Sequence, residues 1–295
     1  MTGLAPQTTR LGLIAGNSRF PLIFAEAARA EGVELVVIAH TGETPPEITS
    51  LIPHLTWVHV GELGKIIATF KAAGVTQLVM AGGIHKSNAL TQIQPDERGL
   101  AFISRLPSFQ DDVILRGLAQ ELESEGLHVV ESTRFLTSLL PQPGVLTRTT
   151  PTETQWQDIS FGFRAARDIG RWDIGQSVIV KRRAVLAVEG IEGTNAAIRR
   201  GGELGGAGTV VVKVSKPQQD LRFDVPAVGP DTITVMQTVG ATVLALEAGK
   251  TLMIDKPTLL QHADTSGIAI VALTEDQVEA PMLAGTESSS RTEIL

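Results

Sequence analysis

The sequence contains no cysteine and no tyrosine, and aromatic residues make up only 4% of its 295 positions. Without cysteine the chain has no disulfide bonds, no thiolate nucleophile and no zinc–thiolate site. Hydrophobic residues still account for 43% of the sequence, so a folded core must be mainly aliphatic. For this length two compact domains are the first expectation, with one large domain as the alternative.

Long apolar runs and an excess of positive charge are also missing. No apolar segment approaches the roughly 20 residues that a helix needs to cross a bilayer. The N-terminal segment MTGLAPQTTR lacks the basic-then-apolar order of a signal peptide. The formal net charge of −7 argues against nucleic-acid binding, which requires a basic surface to neutralise phosphates. We therefore expect a cytoplasmic protein with no nucleic-acid partner.

Several common catalytic motifs are absent. The sequence has no Walker A motif, no G-x-S-x-G elbow and no Nudix-type run of glutamates. Its six histidines form none of the short patterns of a dinuclear phosphoesterase. If the protein hydrolyses phosphate anhydrides, it belongs to none of these standard types.

Strands and helices alternate in the first half of the sequence. Apolar runs predict strands over Leu11–Ala15, Glu34–Ala39 and Gln77–Ala81, with helices starting at Pro21 and covering Leu63–Ala73. This alternation predicts a parallel, doubly wound, Rossmann-like sheet. Ligands of such sheets bind beyond the carboxyl ends of the strands.

Small and polar residues fall at those predicted strand ends. They are Gly16, Asn17 and Ser18, then Gly61 and Glu62, and finally Gly82 and Gly83. One interpretation is that the glycines only shape the turns; the other is that backbone N–H groups hold a phosphate or uracil-type group. A dinucleotide site is disfavoured because the sequence has no G-x-G-x-x-G and no acid at the end of the second strand.

The domain boundary is predicted where the α/β pattern breaks, around Pro141-Gln142-Pro143-Gly144. Before it, Ser108 is expected to cap a helix over Phe109–Glu125. The expected organisation is an N-terminal α/β domain over 1–135, a linker over 136–150, a C-terminal α/β domain with the catalytic motif over 151–280, and a flexible tail over 281–295. A ligand chamber is expected between the two domains.

The second half begins with a predicted helix over Thr152–Arg171 and a hairpin of strands Ser177–Val180 and Ala184–Val188. Thr194 is expected to cap the next helix, which extends to Arg200. Between them, Glu189 and Glu192 allow two interpretations: they bind Mg²⁺ or sugar hydroxyls, or they are solvated turn residues.

A glycine-rich segment, Gly201–Gly208, precedes a predicted strand over Thr209–Lys213. We expect these glycines to let the backbone approach a ligand closely. Charged and apolar residues then alternate over Asp220–Val225, which predicts an extended segment. Its charged face is either simply solvated or, together with Lys213 and Lys216, it holds a pyrophosphate and brings a carboxylate near phosphorus.

Five motifs resemble the bacterial UDP-2,3-diacylglucosamine pyrophosphatases of the LpxI type. They are AGNSRFP, AGGIHK, DIGQSVIV, VEGIEGTNAAIRRGG and KVSKPQQDLRFDVPAVGPDT. The resemblance extends from about Leu11 to Leu273 and implies a two-domain hydrolase of lipid A biosynthesis. The implied reaction gives UMP and 2,3-diacylglucosamine 1-phosphate (lipid X), with Mg²⁺ or Mn²⁺ as cofactor. It also implies peripheral contact with the inner membrane and a homodimer. One departure is AGNSRFP, where relatives commonly have a further glycine.

The resemblance assigns the essential aspartate to Asp224, and Asp224 and Asp220 are the expected metal ligands. The predicted substrate-binding residues include those at the N-terminal strand ends. In the second half they are Gln176, Ser177, Glu189, Gly190, Thr194, Asn195, Lys213, Lys216, Gln219 and Arg222. The preference for Asp224 over Asp220 rests on the family motif alone. The alternative function is a non-catalytic carrier of nucleotide sugars or lipids.

Overall fold

A computed structural model describes residues 10–85 and 93–279 of the chain. The first half forms a five-stranded sheet in the order β3-β2-β1-β4-β5, in which every pair of neighbours is parallel. Its strands are β1 (Arg10–Ala15), β2 (Glu34–His40), β3 (Leu55–Val58), β4 (Gln77–Ala81) and β5 (His128–Val129). The predicted Rossmann-like parallel sheet is thus confirmed.

Helices pack on or beside this sheet, and the longer ones bury apolar residues at helical spacing. They are α1 (Phe20–Ala30), α2 (Ile48–Leu51), α3 (Leu63–Ala72), α4 (Glu97–Ser104) and α5 (Asp111–Ser124). Helix α5 begins two residues later than predicted, and its N-cap is Gln110. The hydroxyl of Ser108 donates to the Gln110 side chain, so Ser108 is not the cap.

The second half forms a mixed six-stranded sheet in the order β6-β13-β11-β9-β7-β8. Its strands are β6 (Gly144–Val145), β7 (Ser177–Lys181), β8 (Ala184–Val188), β9 (Val210–Lys213), β11 (Val243–Glu247) and β13 (Ala269–Leu273), while β10 (Ala227–Val228) and β12 (Leu252–Met253) pair separately. The central strands β9, β11 and β13 are parallel, and the predicted hairpin is β7–β8. The fold is therefore α/β in both halves.

The helices of the second half are α6 (Glu153–Arg171), α7 (Thr194–Gly205), α8 (Pro230–Thr238), α9 (Lys256–Thr265) and α10 (Glu275–Glu279); a 3₁₀ turn, Thr137–Leu139, precedes them. Helix α6 starts at a capping box in which Thr152 and Gln155 satisfy each other's backbone N–H. The N-cap of helix α7 is Gly193 and not Thr194, whose hydroxyl donates to Glu189 instead. Within 10–85 and 93–279, no helix is both long and apolar enough to cross a membrane.

The glycine-rich segment is not a ligand loop. Its first part continues helix α7, and Gly201 and Gly202 are buried. A Cβ on Gly201 would lie 2.6 Å from Cβ of Ile179 in strand β7, and one on Gly202 would overlap Val239. These glycines therefore let the helix pack closely on its neighbours. Gly206 and Gly208 have positive φ and turn the chain into β9.

Replacement of Gly201 by alanine is expected to destabilise the fold. Although alanine favours a helix, its methyl group would meet the rigid side chain of Ile179, and overpacking typically costs about 1–3 kcal/mol. Denaturant unfolding of Gly201→Ala should show this loss, while Glu203→Ala, on the exposed face of the same helix, should not. A raised KM at unchanged stability would instead restore a ligand-binding role for the segment.

The Asp220–Val225 segment is a turn, not an extended strand. The backbone N–H groups of Phe223 and Asp224 both donate to the carbonyl of Asp220, at 3.2 and 3.1 Å. Of the apolar residues of the segment, Phe223 is buried, in an N-terminal core cluster that also contains Ile14 and Met80. Val225 packs against a second N-terminal cluster.

The two halves are therefore interlocked. Leu252 is buried in the same N-terminal cluster as Phe24, and the backbone N–H of Ser132 donates to the carbonyl of Arg222 at 3.0 Å. Arg19 also forms an ion pair with Asp255 at 2.5 Å. The predicted linker over 136–150 stays a prediction, and the predicted tail over 281–295 lies outside the described residues.

Candidate active site

The candidate site is centred on Lys216, whose ammonium group lies close to the carboxylates of Asp173 and Asp224. Lys216 follows strand β9, and its Nζ donates to Asp173 Oδ1 at 2.5 Å and lies 4.0 Å from Asp224 Oδ2. The side chain of Lys216 is only 10% exposed, whereas that of Asp224 is 32% exposed. Asp224 thus remains accessible to a ligand beside a largely buried cation.

Burial and charge act on these groups in opposite directions. Burial raises the pKa of Asp224 above its ordinary value; Lys216 and Gln219 partly oppose this, and Asp111 and Asp173 add to it. For Lys216, burial favours the neutral form, but the hydrogen bond to Asp173 and the nearby Asp224 outweigh it and raise its pKa. Asp111 belongs to helix α5, so the first domain contributes charge to the centre.

A second polar cluster lies on the neighbouring strands. Lys213 Nζ donates to the hydroxyl of Thr194, which donates to Glu189 Oε1, both at 2.7 Å. Glu189 and Lys213 are 8% and 5% exposed. Burial alone would raise the pKa of Glu189, but Lys213, the nearby Ser177 hydroxyl and hydrogen bonds from Thr194 and the Gln176 backbone lower it overall. Glu189 is therefore a buried, charged residue.

The two clusters adjoin, because the backbone N–H of Val214 donates to the carbonyl of Gln176 at 3.0 Å. Two atoms here, Gln176 Oε1 and Ser177 Oγ, are buried without a hydrogen-bond partner. Unsatisfied buried polar atoms are costly, and here they lie beside the predicted substrate-binding residues. This position suits a ligand that carries hydroxyl or N–H groups.

Not every predicted residue of this region faces the centre. Glu192 forms an ion pair with Arg200 at 2.5 Å and accepts from the N–H of Gly190, as expected of a solvated turn residue. Asn195 lies in the first turn of α7. Glu192 thus has the partners of a turn residue, whereas ligand binding by Glu189 stays a prediction.

Asp220 and Arg222 connect the domains. Asp220 Oδ2 accepts from Arg222 Nη2 at 2.8 Å, and Arg222 Nη1 reaches Glu123 Oε1 of helix α5 at 3.0 Å. Arg116 lies 3.8 Å from Asp220 and donates to the carbonyl of Gln218. The Arg222 guanidinium lowers the pKa of Asp220. With both carboxylate oxygens engaged, Asp220 is poorly placed to bind a metal.

The predicted residues at the ends of β1 and β4 do come together. The backbone N–H of Gly16 donates to the Ala81 carbonyl, and that of Asn17 donates to the Gly83 carbonyl at 2.7 Å. The N–H of Gly83 donates in return to Asn17 Oδ1 at 3.2 Å. The Gly16–Asn17 and Gly82–Gly83 turns therefore form one surface, next to Ser18, which has a φ of 70°.

Two polar residues of this surface were missed by the sequence analysis. Glu43, whose side chain is 1% exposed, accepts from His85 Nδ1 at 2.7 Å and from Asn17 Nδ2 at 3.3 Å. Both follow strand ends by a few residues, Glu43 after β2 and His85 after β4, so the strand-end rule could have found them. Glu43 thus adds a buried carboxylate beside the predicted residues Asn17 and Gly83.

Gly61 and Glu62 lie apart, beyond the edge strand β3. Glu62 Oε2 accepts from the N–H of His59 at 2.5 Å, and this bond lowers the pKa of Glu62. A Cβ on Gly61 would lie 2.9 Å from Cα of Pro95. The structure therefore gives both residues local structural partners and does not bring them to the Lys216 centre.

Over the described ranges 10–85 and 93–279, no group of three or more His, Cys, Asp or Glu residues is close enough to hold an ion. The half-exposed Asp224 carboxylate does fit a cation that takes most of its ligands from phosphate and water, as Mg²⁺ commonly does.

Fold and site together define a two-domain α/β protein whose acid–lysine centre is assembled where the C-terminal domain meets the N-terminal sheet. Comparison with known families gives the same two parts. The LpxI N-terminal domain model matches residues 10–139, and the LpxI C-terminal domain model matches residues 142–271. The chain belongs to the LpxI family.

A relative from Caulobacter vibrioides, named UDP-2,3-diacylglucosamine pyrophosphatase LpxI, is 31% identical over 283 residues. The match covers 92% of this chain and 99% of the relative. Solved structures that match include the precorrin-6A reductase CobK, at 13% identity and a TM-score of 0.32, over 90% of this chain and 88% of that one. The biotin carboxylase subunit of pyruvate carboxylase matches at 11% identity and a TM-score of 0.25, over 68% and 43%. At TM-scores of 0.32 and 0.25, neither match says anything about the function of this chain.

Proposed function

We propose that the protein hydrolyses the pyrophosphate bond of UDP-2,3-diacylglucosamine to UMP and 2,3-diacylglucosamine 1-phosphate, in lipid A biosynthesis. Membership of the LpxI family and the name of the Caulobacter relative support the reaction. The structural observation that carries the proposal is the half-exposed Asp224 carboxylate, 4.0 Å from the nearly buried Lys216 ammonium. This pair offers an acid and a countercharge to one phosphoryl group.

In this proposal water attacks one phosphorus and gives up a proton to the Asp224 carboxylate or to solvent, while the bridging P–O bond breaks and its electron pair passes to the departing phosphate. Lys216 and Lys213 offset negative charge on the phosphoryl oxygens, as cations commonly do in phosphoryl transfer. Asp224 would bind a divalent cation, Mg²⁺ or Mn²⁺, which when bound neutralises pyrophosphate charge. Gln176 Oε1 and Ser177 Oγ would gain hydrogen bonds from hydroxyl or N–H groups of the substrate.

The surroundings of the centre suit a lipid substrate. Four exposed apolar side chains lie within two residues of its acids: Phe109 near Asp111, Trp172 and Ile174 flanking Asp173, and Ile191 after Glu189. Trp172 is 78% exposed and Ile191 is 76% exposed. We infer that these side chains contact acyl chains and support peripheral binding at the inner membrane. A homodimer remains the oligomeric state expected from the family.

The test is direct. The purified protein is incubated with UDP-2,3-diacylglucosamine and Mg²⁺ or Mn²⁺ in ¹⁸O-labelled water, and the products are identified by mass spectrometry. We expect UMP and the 1-phosphate, one of them carrying the label, which identifies the phosphorus attacked. Tight substrate binding without turnover at any concentration of either metal would instead support the non-catalytic carrier.

A further inference from the structure

The side chain of Gln219 is held in one orientation beside Asp224. Its Oε1 accepts from the backbone N–H of Lys216 at 2.8 Å and from the hydroxyl of Ser215 at 3.0 Å. A backbone N–H can only donate, so the carboxamide oxygen must face Lys216 and the NH₂ group must face away from it. The direction of the donor is thus fixed by the main chain.

Among the described residues, that donor makes no hydrogen bond in this arrangement. Gln219 Nε2 is buried, and no acceptor meets it with hydrogen-bond geometry. The carboxamide is nevertheless close enough to Asp224 to favour its charged form. A buried N–H group without an acceptor is costly, and the carboxylate on which this carboxamide acts is that of Asp224.

The segment that carries Gln219 is held in place by a hydrogen bond to the buried carboxylate of Glu247. Glu247, 1% exposed at the end of β11, accepts from the backbone N–H of Ser215 at 2.8 Å. The same carboxylate receives Lys250 Nζ at 2.7 Å and Arg167 Nη1 at 3.3 Å. The buried Glu247 carboxylate, neutralised by these two cations, fixes Ser215, and Ser215 fixes Gln219.

From this chain of contacts we infer that Gln219 is a positioning residue: its NH₂ group is placed to donate to the Asp224 carboxylate when substrate binds, and so to hold it toward the scissile pyrophosphate. The inference deepens the proposed function and rests on it for its kinetic consequence. It assigns to Gln219 a contact with Asp224 in place of the contact with substrate implied by the family motif.

Two variants separate this role from others. Gln219→Glu keeps an oxygen for Ser215 and Lys216 but removes the donor, and Gln219→Met removes the donor without adding charge. Loss of a residue that orients an active-site ligand typically costs about 10- to 100-fold in activity. We expect kcat to fall by about that factor in both variants, with KM changed by less than about twofold.

The matched control is Gln218→Glu. It makes the same chemical change one position away, where the side chain donates to the carbonyl of Gly170 at 2.8 Å and not to Asp224. Its kcat should remain near that of the wild type. If Gln219→Glu and Gln219→Met turn over at the wild-type rate, or raise KM with kcat unchanged, the positioning role is wrong.

A second measurement does not depend on turnover. In a double-mutant cycle of thermal unfolding, Gln219→Met should lower Tm less in the Asp224→Ala background than in the wild type, because the partner is already gone. Equal Tm shifts in both backgrounds would overturn the contact. An inactive wild-type protein with a clear coupling would instead refute the proposed function and leave the Gln219–Asp224 contact standing.

Discussion

Asp224→Asn is expected to abolish turnover while leaving the protein as stable as the wild type, or more so. Asparagine keeps the shape of the side chain but cannot carry the negative charge needed to bind a cation or accept a proton. Acid–base groups alone contribute about 10²- to 10⁴-fold, so we expect at least a 100-fold loss in kcat. The measurement is UMP release under saturating substrate, with Tm determined on the same preparation.

The effect on stability follows from the direction of the pKa shift. Because the folded state raises the pKa of Asp224, the associated stability is fully present below the unfolded pKa and is lost as pH rises through the folded value. Asparagine at position 224 does not titrate, so the free energy of unfolding of Asp224→Asn does not fall in this way. The Tm advantage of Asp224→Asn should therefore appear as pH rises from acidic to neutral.

Asp220→Asn is the matched control, with the same change four positions earlier. The pKa of Asp220 is lowered by Arg222, so its stabilising effect is present above the unfolded pKa and is lost as pH falls. Asp220→Asn should lower Tm at neutral pH and retain turnover. Loss of turnover equal to that of Asp224→Asn would show that Asp220 is a metal ligand after all.

Phe223→Ala is expected to cost about 3–5 kcal/mol of unfolding free energy, the usual range for emptying a buried phenylalanine site. Phe223 is 6% exposed and fills the N-terminal core, although its neighbours along the chain belong to the catalytic turn. Its loss should also lower kcat, because it fixes the position of the next residue, Asp224. Denaturant unfolding and steady-state kinetics of the same variant test both effects.

Phe109→Ala is the control for this prediction. Phe109 is 67% exposed, so its removal should change the unfolding free energy by less than about 0.5 kcal/mol. The Phe223 prediction fails if the two variants are equally stable. A loss of stability at full kcat would show that the turn keeps its shape without its anchor.

Regular elements with a strong local pattern were predictable from the sequence. Strands β1, β2 and β4 of the first sheet, the β7–β8 hairpin and helix α6 depend on periodicity and on caps such as Thr152, which are local signals. Short elements were missed, among them β3 and α4. Helix α9 was missed because only Leu259 and Ala263 of its residues are buried, which gives almost no apolar stripe.

Other features depend on contacts between residues distant in sequence, which a local pattern does not show. Alternation over Asp220–Val225 placed Phe223 and Val225 on the apolar side of the segment. Phe223 is indeed buried and Val225 half-buried, but both pack on the other domain and from a turn. Composition likewise cannot say whether a glycine faces a ligand or a neighbouring strand, and Gly201 faces Ile179. The candidate centre was predicted through Asp224 and Lys216, whereas Asp173 and Asp111 depend on contacts distant in sequence.

The interlocked domains limit how this chain can be divided. A fragment beginning at residue 142 would expose Phe223, Val225 and Leu252 to water, because the surfaces that bury them belong to the other fragment. Each fragment alone should therefore be aggregation-prone and inactive. Mixed or co-expressed, the two should reassociate through these same side chains, which would make the protein a natural system for fragment complementation.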